Sequence, residues 1–148
     1  MAKKPPQNNN PLHCACFNLR KAARAVTQLY DDTLRPSGLR ATQFSVLQQL
    51  ATQGPFTMSA LADILVTDRT TLTRNLKPLI DRGLVRTEVG DDRRQRTVAI
   101  TGTGEKTLGQ ALPLWRQAQA RIVDGLAAER WDGMEQDLAA TVRVAQGE

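Results

Sequence analysis

Three groups of residues in this 148-residue chain have types and spacings that can do chemistry. The first is His13-Cys14-Ala15-Cys16. A thiolate is a nucleophile, a metal ligand and an oxidation target. Arg20 lies one helical turn after Cys16 and would favour the charged form, and Tyr30 follows on the same run. The second group is Arg69, Thr70, Thr71, Thr73, Arg74, Asn75 and Lys77, seven polar donors within nine residues. Arginine pairs bidentately with guanine and asparagine with adenine in the major groove of duplex DNA. Threonine adds a hydroxyl for phosphates and a methyl for thymine. The third group is Arg93-Arg94, on a turn opened by Gly90-Asp91-Asp92. A guanidinium there can enter a minor groove, drawn by its negative potential.

Charge distribution ties the second and third groups together. The net charge is +5. Eight basic and four acidic residues fall between Arg69 and Arg96, against twelve and eleven in the rest of the chain. A charge run is usually a solvated face; one that coincides with a pair of short helices and a hairpin is an electrostatic footprint for phosphates. The arginines of the hairpin could also simply balance Asp91 and Asp92. No HExxH, phosphate-binding loop or GxSxG occurs, and the single histidine has no second to pair with, so no enzyme and no cofactor are expected. No apolar run approaches the roughly 18 residues of a membrane span, and no apolar segment follows Lys3-Lys4 as in a secretory signal. Two cysteines in such a chain imply a reducing, cytoplasmic setting.

The elements that must position these groups follow from periodicity. Residues 1–10, with two lysines, two prolines and three asparagines, read as a disordered tail. A stripe at Leu12, Cys16, Leu19, Ala23, Val26, Tyr30 and Leu34 steps by four and three, which predicts a helix ending before Pro36-Ser37-Gly38. A second helix is predicted over Ala41–Ala51. Thr57 is placed to cap a third, with Val66 and Thr67 as the turn after it. Asp68 or Thr67 can cap a fourth, which turns Leu72, Leu76, Leu79 and Ile80 inward and closes at Gly83. Pro78 inside it removes one backbone hydrogen bond and predicts a bend. Two β-branched segments around Gly90–Arg94 predict a hairpin with a basic tip. Thr101 can cap a long helix carrying Leu108, Leu112, Trp115, Ile122 and Leu126, kinked at Pro113; a last helix carries Trp131, Met134, Leu138, Val142 and Ala145. The fold class is therefore mainly α with a small β-hairpin wing. Residues 37–101 form a winged helix-turn-helix, and residues 11–36 and 102–148 a helical dimerisation region. The end helices carry more apolar surface than the central module can cover, which points to a homodimer rather than a monomer.

The order of elements, with Leu61-Ala62-Asp63, Asp68-Arg69-Thr70-Thr71-Leu72-Thr73-Arg74, Leu79, Gly83-Leu84-Val85, Asp92-Arg93-Arg94 and Ile100-Thr101, resembles the MarR family of bacterial regulators over residues 12–146. The resemblance implies an obligate homodimer joined by its first and last two helices. It implies a recognition helix at Arg69–Arg82, Arg94 as the wing-tip arginine, and Asp92 bracing an arginine rather than opposing it; because Pro78 departs from a plain recognition helix, the reading is assigned to Arg69–Lys77. It further implies a repressor released from a palindromic operator by an effector. Cys16-Phe17 resembles the reactive-cysteine position of the organic-hydroperoxide-sensing OhrR branch, with Tyr30 matching one tyrosine that engages the thiolate; Arg20 and Ala41 stand where that branch has others. Three alternatives stay open for Cys16: a redox switch, a small hydrophobe in the dimer seam, or a metal ligand with His13, Cys14 and a group from the partner subunit. On a continuous helix Cys14 and Cys16 point nearly opposite ways, which disfavours a disulfide between them.

The expected activity is homodimeric binding of double-stranded DNA, released by thiol oxidation at Cys16 or by a small aromatic ligand between the winged domain and the dimer helices. The rival is a protein-interaction or metal- or thiol-sensing module of the same fold that does not bind DNA specifically.

Overall fold

The structure, a computed structural model, describes residues 10–148. The tail expected over residues 1–10 lies, apart from Asn10, outside the described residues. Six α-helices and three short strands follow one another: α1 (Ala15–Leu34), α2 (Ala41–Gln53), β1 (Phe56–Thr57), α3 (Met58–Ile64), α4 (Arg69–Asp81), β2 (Val85–Val89), β3 (Arg96–Ile100), α5 (Gly102–Leu126) and α6 (Ala128–Gln146).

The central module forms around leucines at helical spacing. Leu47, Leu61, Leu72, Leu76 and Leu79 are buried from α2, α3 and α4, with Val98 from the sheet and Leu34 from the end of α1. Three expected caps are present. Thr57 accepts the Ala60 N–H at 3.1 Å, Asp68 the Thr71 N–H at 2.7 Å, and Thr101 the Gly104 N–H at 3.0 Å. Each satisfies a donor that the helix start leaves without a partner. The fourth helix ends through Gly83, whose φ of 70° lets its N–H turn back to the Ile80 carbonyl at 2.9 Å.

The wing is the expected hairpin with one addition. β2 and β3 pair antiparallel with Thr87 opposite Val98 and Val89 opposite Arg96. β1 pairs with the other edge of β3, Phe56 opposite Val98, giving the order β1-β3-β2. A two-residue strand is too short to show alternation, so nothing in the sequence marked it.

Two expectations need correction. The first helix does not begin at Leu12: Pro11–His13 form a separate 3-10 turn, and Cys14 is the N-cap of α1 with extended ψ of 120°. Cys14 and Cys16 are therefore not on one continuous helix. Ile80 is not turned inward but is 39% exposed, because Leu76 and Leu79 already fill the core-facing side and Ile80 falls beside Thr73 toward the wing. Pro78 lies inside α4 and Pro113 inside α5, and each helix continues past its proline.

Candidate nucleic-acid interface

Which donors of α4 are free depends on bonds the helix makes to itself. Asp68 accepts not only the Thr71 amide but also its hydroxyl, at 2.6 Å. Those two bonds, the side-chain one foremost, hold the Asp68 carboxyl below the usual carboxylate range. The Thr73 hydroxyl donates to the Arg69 carbonyl at 2.8 Å. Lys77 Nζ meets Asp81 Oδ2 at 2.7 Å. Thr71, Thr73 and Lys77 are thus engaged within the helix. Among the described residues Arg69, Arg74, Arg93 and Arg94 enter no ion pair.

The core stripe divides the candidates into three sides. Thr70, Arg74 and Lys77 line one outward hollow with Thr73 and Ile80. Arg69 and Thr73 face the wing, where Met58, Thr87 and Arg96 complete a cavity of about 180 Å³. Asn75 is exposed on the opposite flank, beside Thr42, Gln43, Ser45 and Thr67. Arg96 lies outside the basic tip that the sequence marks, on the strand leading away from it. Its signal is strand alternation, which puts Arg96 on the same face as Val98, fully buried two residues on.

The wing tip is built by backbone bonds. Gly90 N–H reaches the Gln95 carbonyl at 2.9 Å, and Gln95 N–H the Asp92 carbonyl at 2.8 Å. The Asp92 carboxylate accepts the Arg94 backbone N–H at 3.0 Å. Asp92 thus braces Arg94 through its main chain and leaves the guanidinium outside any pair, while Arg93 stands exposed beside it.

The residues of the first group are not gathered into one site within the chain. Cys14 and Cys16 are both exposed thiols, and Arg20 is exposed one turn along α1. Tyr30 is fourteen residues from Cys16, about 21 Å along a helix axis. Its hydroxyl donates to Gln119 of α5, and burial there raises its pKa. Among the described residues no set of three or more His, Cys, Asp or Glu side chains is arranged to hold a metal ion. No described helix is long and apolar enough to cross a membrane.

A helix-turn-helix followed by a hairpin with free arginines defines a winged helix-turn-helix transcription regulator. Residues 37–95 match the model of the MarR family. The chain is 34% identical over 88 residues to the HTH-type regulator YwoH of Bacillus subtilis, a match covering 60% of this chain and 64% of that protein. It is similar to the Mycobacterium tuberculosis regulator MosR, solved in complex with DNA, with 41% identity, a TM-score of 0.84, and coverage of 90% of this chain and 97% of that one. The repressor CouR, solved on a 23-mer DNA duplex, is 26% identical with a TM-score of 0.80 over 88% and 93% of the two chains. The chain belongs to the MarR family.

Proposed function

We propose that the chain is a homodimeric repressor of a palindromic DNA operator, reading the major groove with Arg69–Lys77 and gripping the flanking minor groove with Arg93 and Arg94. The observation that carries this is the set of arginines without ion pairs on adjoining surfaces of α4 and the wing. An arginine without a carboxylate partner is ready for a phosphate or a guanine edge. The DNA-bound states of MosR and CouR, which share the fold over most of their length, support the same partner. The protein acts by binding, in the cytoplasm, and no catalysis is assigned to it.

The two chain ends supply the dimer. Phe17, Leu19 and Val26 on α1 and Met134, Leu138 and Val142 on α6 are exposed in the single chain. A second copy would cover them, and two-fold symmetry would set two recognition helices about one DNA turn, roughly 34 Å, apart. Residues 11–36 and 102–148 are accordingly the dimerisation region and 37–101 the DNA-binding domain.

Release is assigned to an effector. A cavity of about 260 Å³ between α2 and α5 is lined by Phe44, Ser45, Gln48, Gln49, Leu112 and Trp115. Phe44 and Trp115 stack there with ring centroids 5.9 Å apart, a setting for a small aromatic ligand between the reading module and the dimer helices. Oxidation at Cys16, a thiol exposed in the single chain and set in the dimerisation region, is the other route; with Tyr30 about 21 Å along the same helix, a tyrosine contact would come from the partner subunit.

A gel shift on promoter and random duplexes at low and high salt tests the core of this. Binding that weakens steeply with salt is expected, because each neutralised phosphate releases counterions. Absence of any shift at low salt would leave the fold with a partner other than DNA.

A further inference from the structure

The C-terminal end of α4 is held from two directions. Arg82, its C-cap, reaches back to the joint between α1 and α2, where its Nη1 donates to the Gly38 carbonyl at 2.9 Å. Gly38 has a φ of 75° and is the residue that turns the chain from one helix toward the next. A methyl at Gly38 would stand 3.2 Å from Arg82 Nη2, so the guanidinium closes on the backbone where no side chain intervenes. The following residue, Gly83, accepts the Thr101 hydroxyl at 2.6 Å, and Thr101 is the cap of α5. Two successive residues at the end of the recognition helix are thus tied to the ends of α1 and α5. Among the described residues Arg82 has no carboxylate partner.

We propose that Arg82 is a positioning residue that sets the angle of the recognition helix against the dimer helices, and through it the separation of half-sites the dimer accepts. This rests on the dimeric DNA-binding reading above. The lever is long. A 13-residue helix is about 20 Å from end to end. A rotation of about 10° at its pinned end moves the other end by about 3.4 Å, the rise of one base pair. The partner's opposite displacement doubles the effect.

The test is selection of bound fragments from a pool of random-sequence duplexes by wild type, Arg82→Gln and Arg82→Lys, with thermal melting of each. Wild type is expected to enrich paired half-sites at one dominant separation. Both variants should melt near wild type, since Arg82 is exposed. They should broaden the separation by one or two base pairs and bind the wild-type site about tenfold more weakly, within the usual range of coupling between distant parts of a protein. Their dependence of affinity on salt should be unchanged. The inference is overturned if both variants keep the single separation. It is also overturned if Arg82→Lys behaves as wild type while Arg82→Gln loses about one counterion from the salt slope, the signature of a phosphate contact. A wild-type pool without paired half-sites overturns the dimeric reading and this inference with it.

Discussion

The carboxylate of Asp68 holds both the amide and the hydroxyl of Thr71, and its pKa is lowered by those bonds. A group whose folded pKa lies below its unfolded value of about 3.9 stabilises the fold above that pH. The contribution is lost as pH falls through the folded pKa. Removing it with Asp68→Asn should therefore lower the melting temperature at pH 7 more than at pH 3, and equal losses at both would show that the cap is not the charged species. Arg74 and Arg94 differ in what they can touch. Arg74→Ala should change which bases are preferred, by about 1–3 kcal/mol at one position, measured by binding to a panel of single-base variants of a selected site. Arg94→Ala should weaken binding to all of them alike and flatten the salt slope by about 0.9. If Arg94→Ala bound as tightly as wild type, the wing tip would not be in contact.

Elements dock through close backbone approach as well as through apolar stripes. A methyl at Gly104, near the start of α5, would lie 2.1 Å from the Leu84 carbonyl oxygen and 2.7 Å from Ile100 Cγ1. Backbone cannot yield as a flexible side chain does, so Gly104→Ala should destabilise by about 1–3 kcal/mol, read from urea unfolding. It should also loosen the wing, because Leu84 leads into β2 and Ile100 ends β3. Leu72→Ala, fully buried under the recognition helix, should cost about 2–5 kcal/mol. The caps at Thr57, Asp68 and Thr101 were legible in the sequence because a cap is a local bond to an amide three residues on. The break at Cys14 was not, since the apolar spacing from Leu12 to Cys16 continues through the 3-10 turn as if it were α-helix. The start of α2 shows the same limit. Its Ala41 N–H is taken by Asp31 of α1 at 2.7 Å, ten residues earlier, and no spacing rule joins the two.

For the whole molecule, the exposed apolar surface at both chain ends is what a second copy would remove from water. Met134, Leu138 and Val142 are each 37–40% exposed on α6. Leu138→Asp with Val142→Asp should convert the proposed dimer to monomer in sedimentation velocity and weaken operator binding by more than Arg94→Ala does. Wild-type melting should rise with protein concentration, as it must when folding and association are linked; a melt independent of concentration together with a monomeric wild type would assign those faces to something else.

The order of the elements, the capped helix starts, the basic tip of the hairpin and the concentration of charge around α4 are all carried by the sequence. All of these rest on periodicity or on bonds between residues a few positions apart, so the chain carries them locally. Tertiary structure set where the candidate contact residues lie relative to one another. It turned Arg69 and Arg96 toward a shared cavity and set Asn75 on the flank facing α2, whereas the bonds of Thr71, Thr73 and Lys77 within α4 span only three or four residues. It also added β1 to the wing and tied Arg82 to Gly38. The long-range contacts among these join residues tens of positions apart. They are not written in the spacing of residue types.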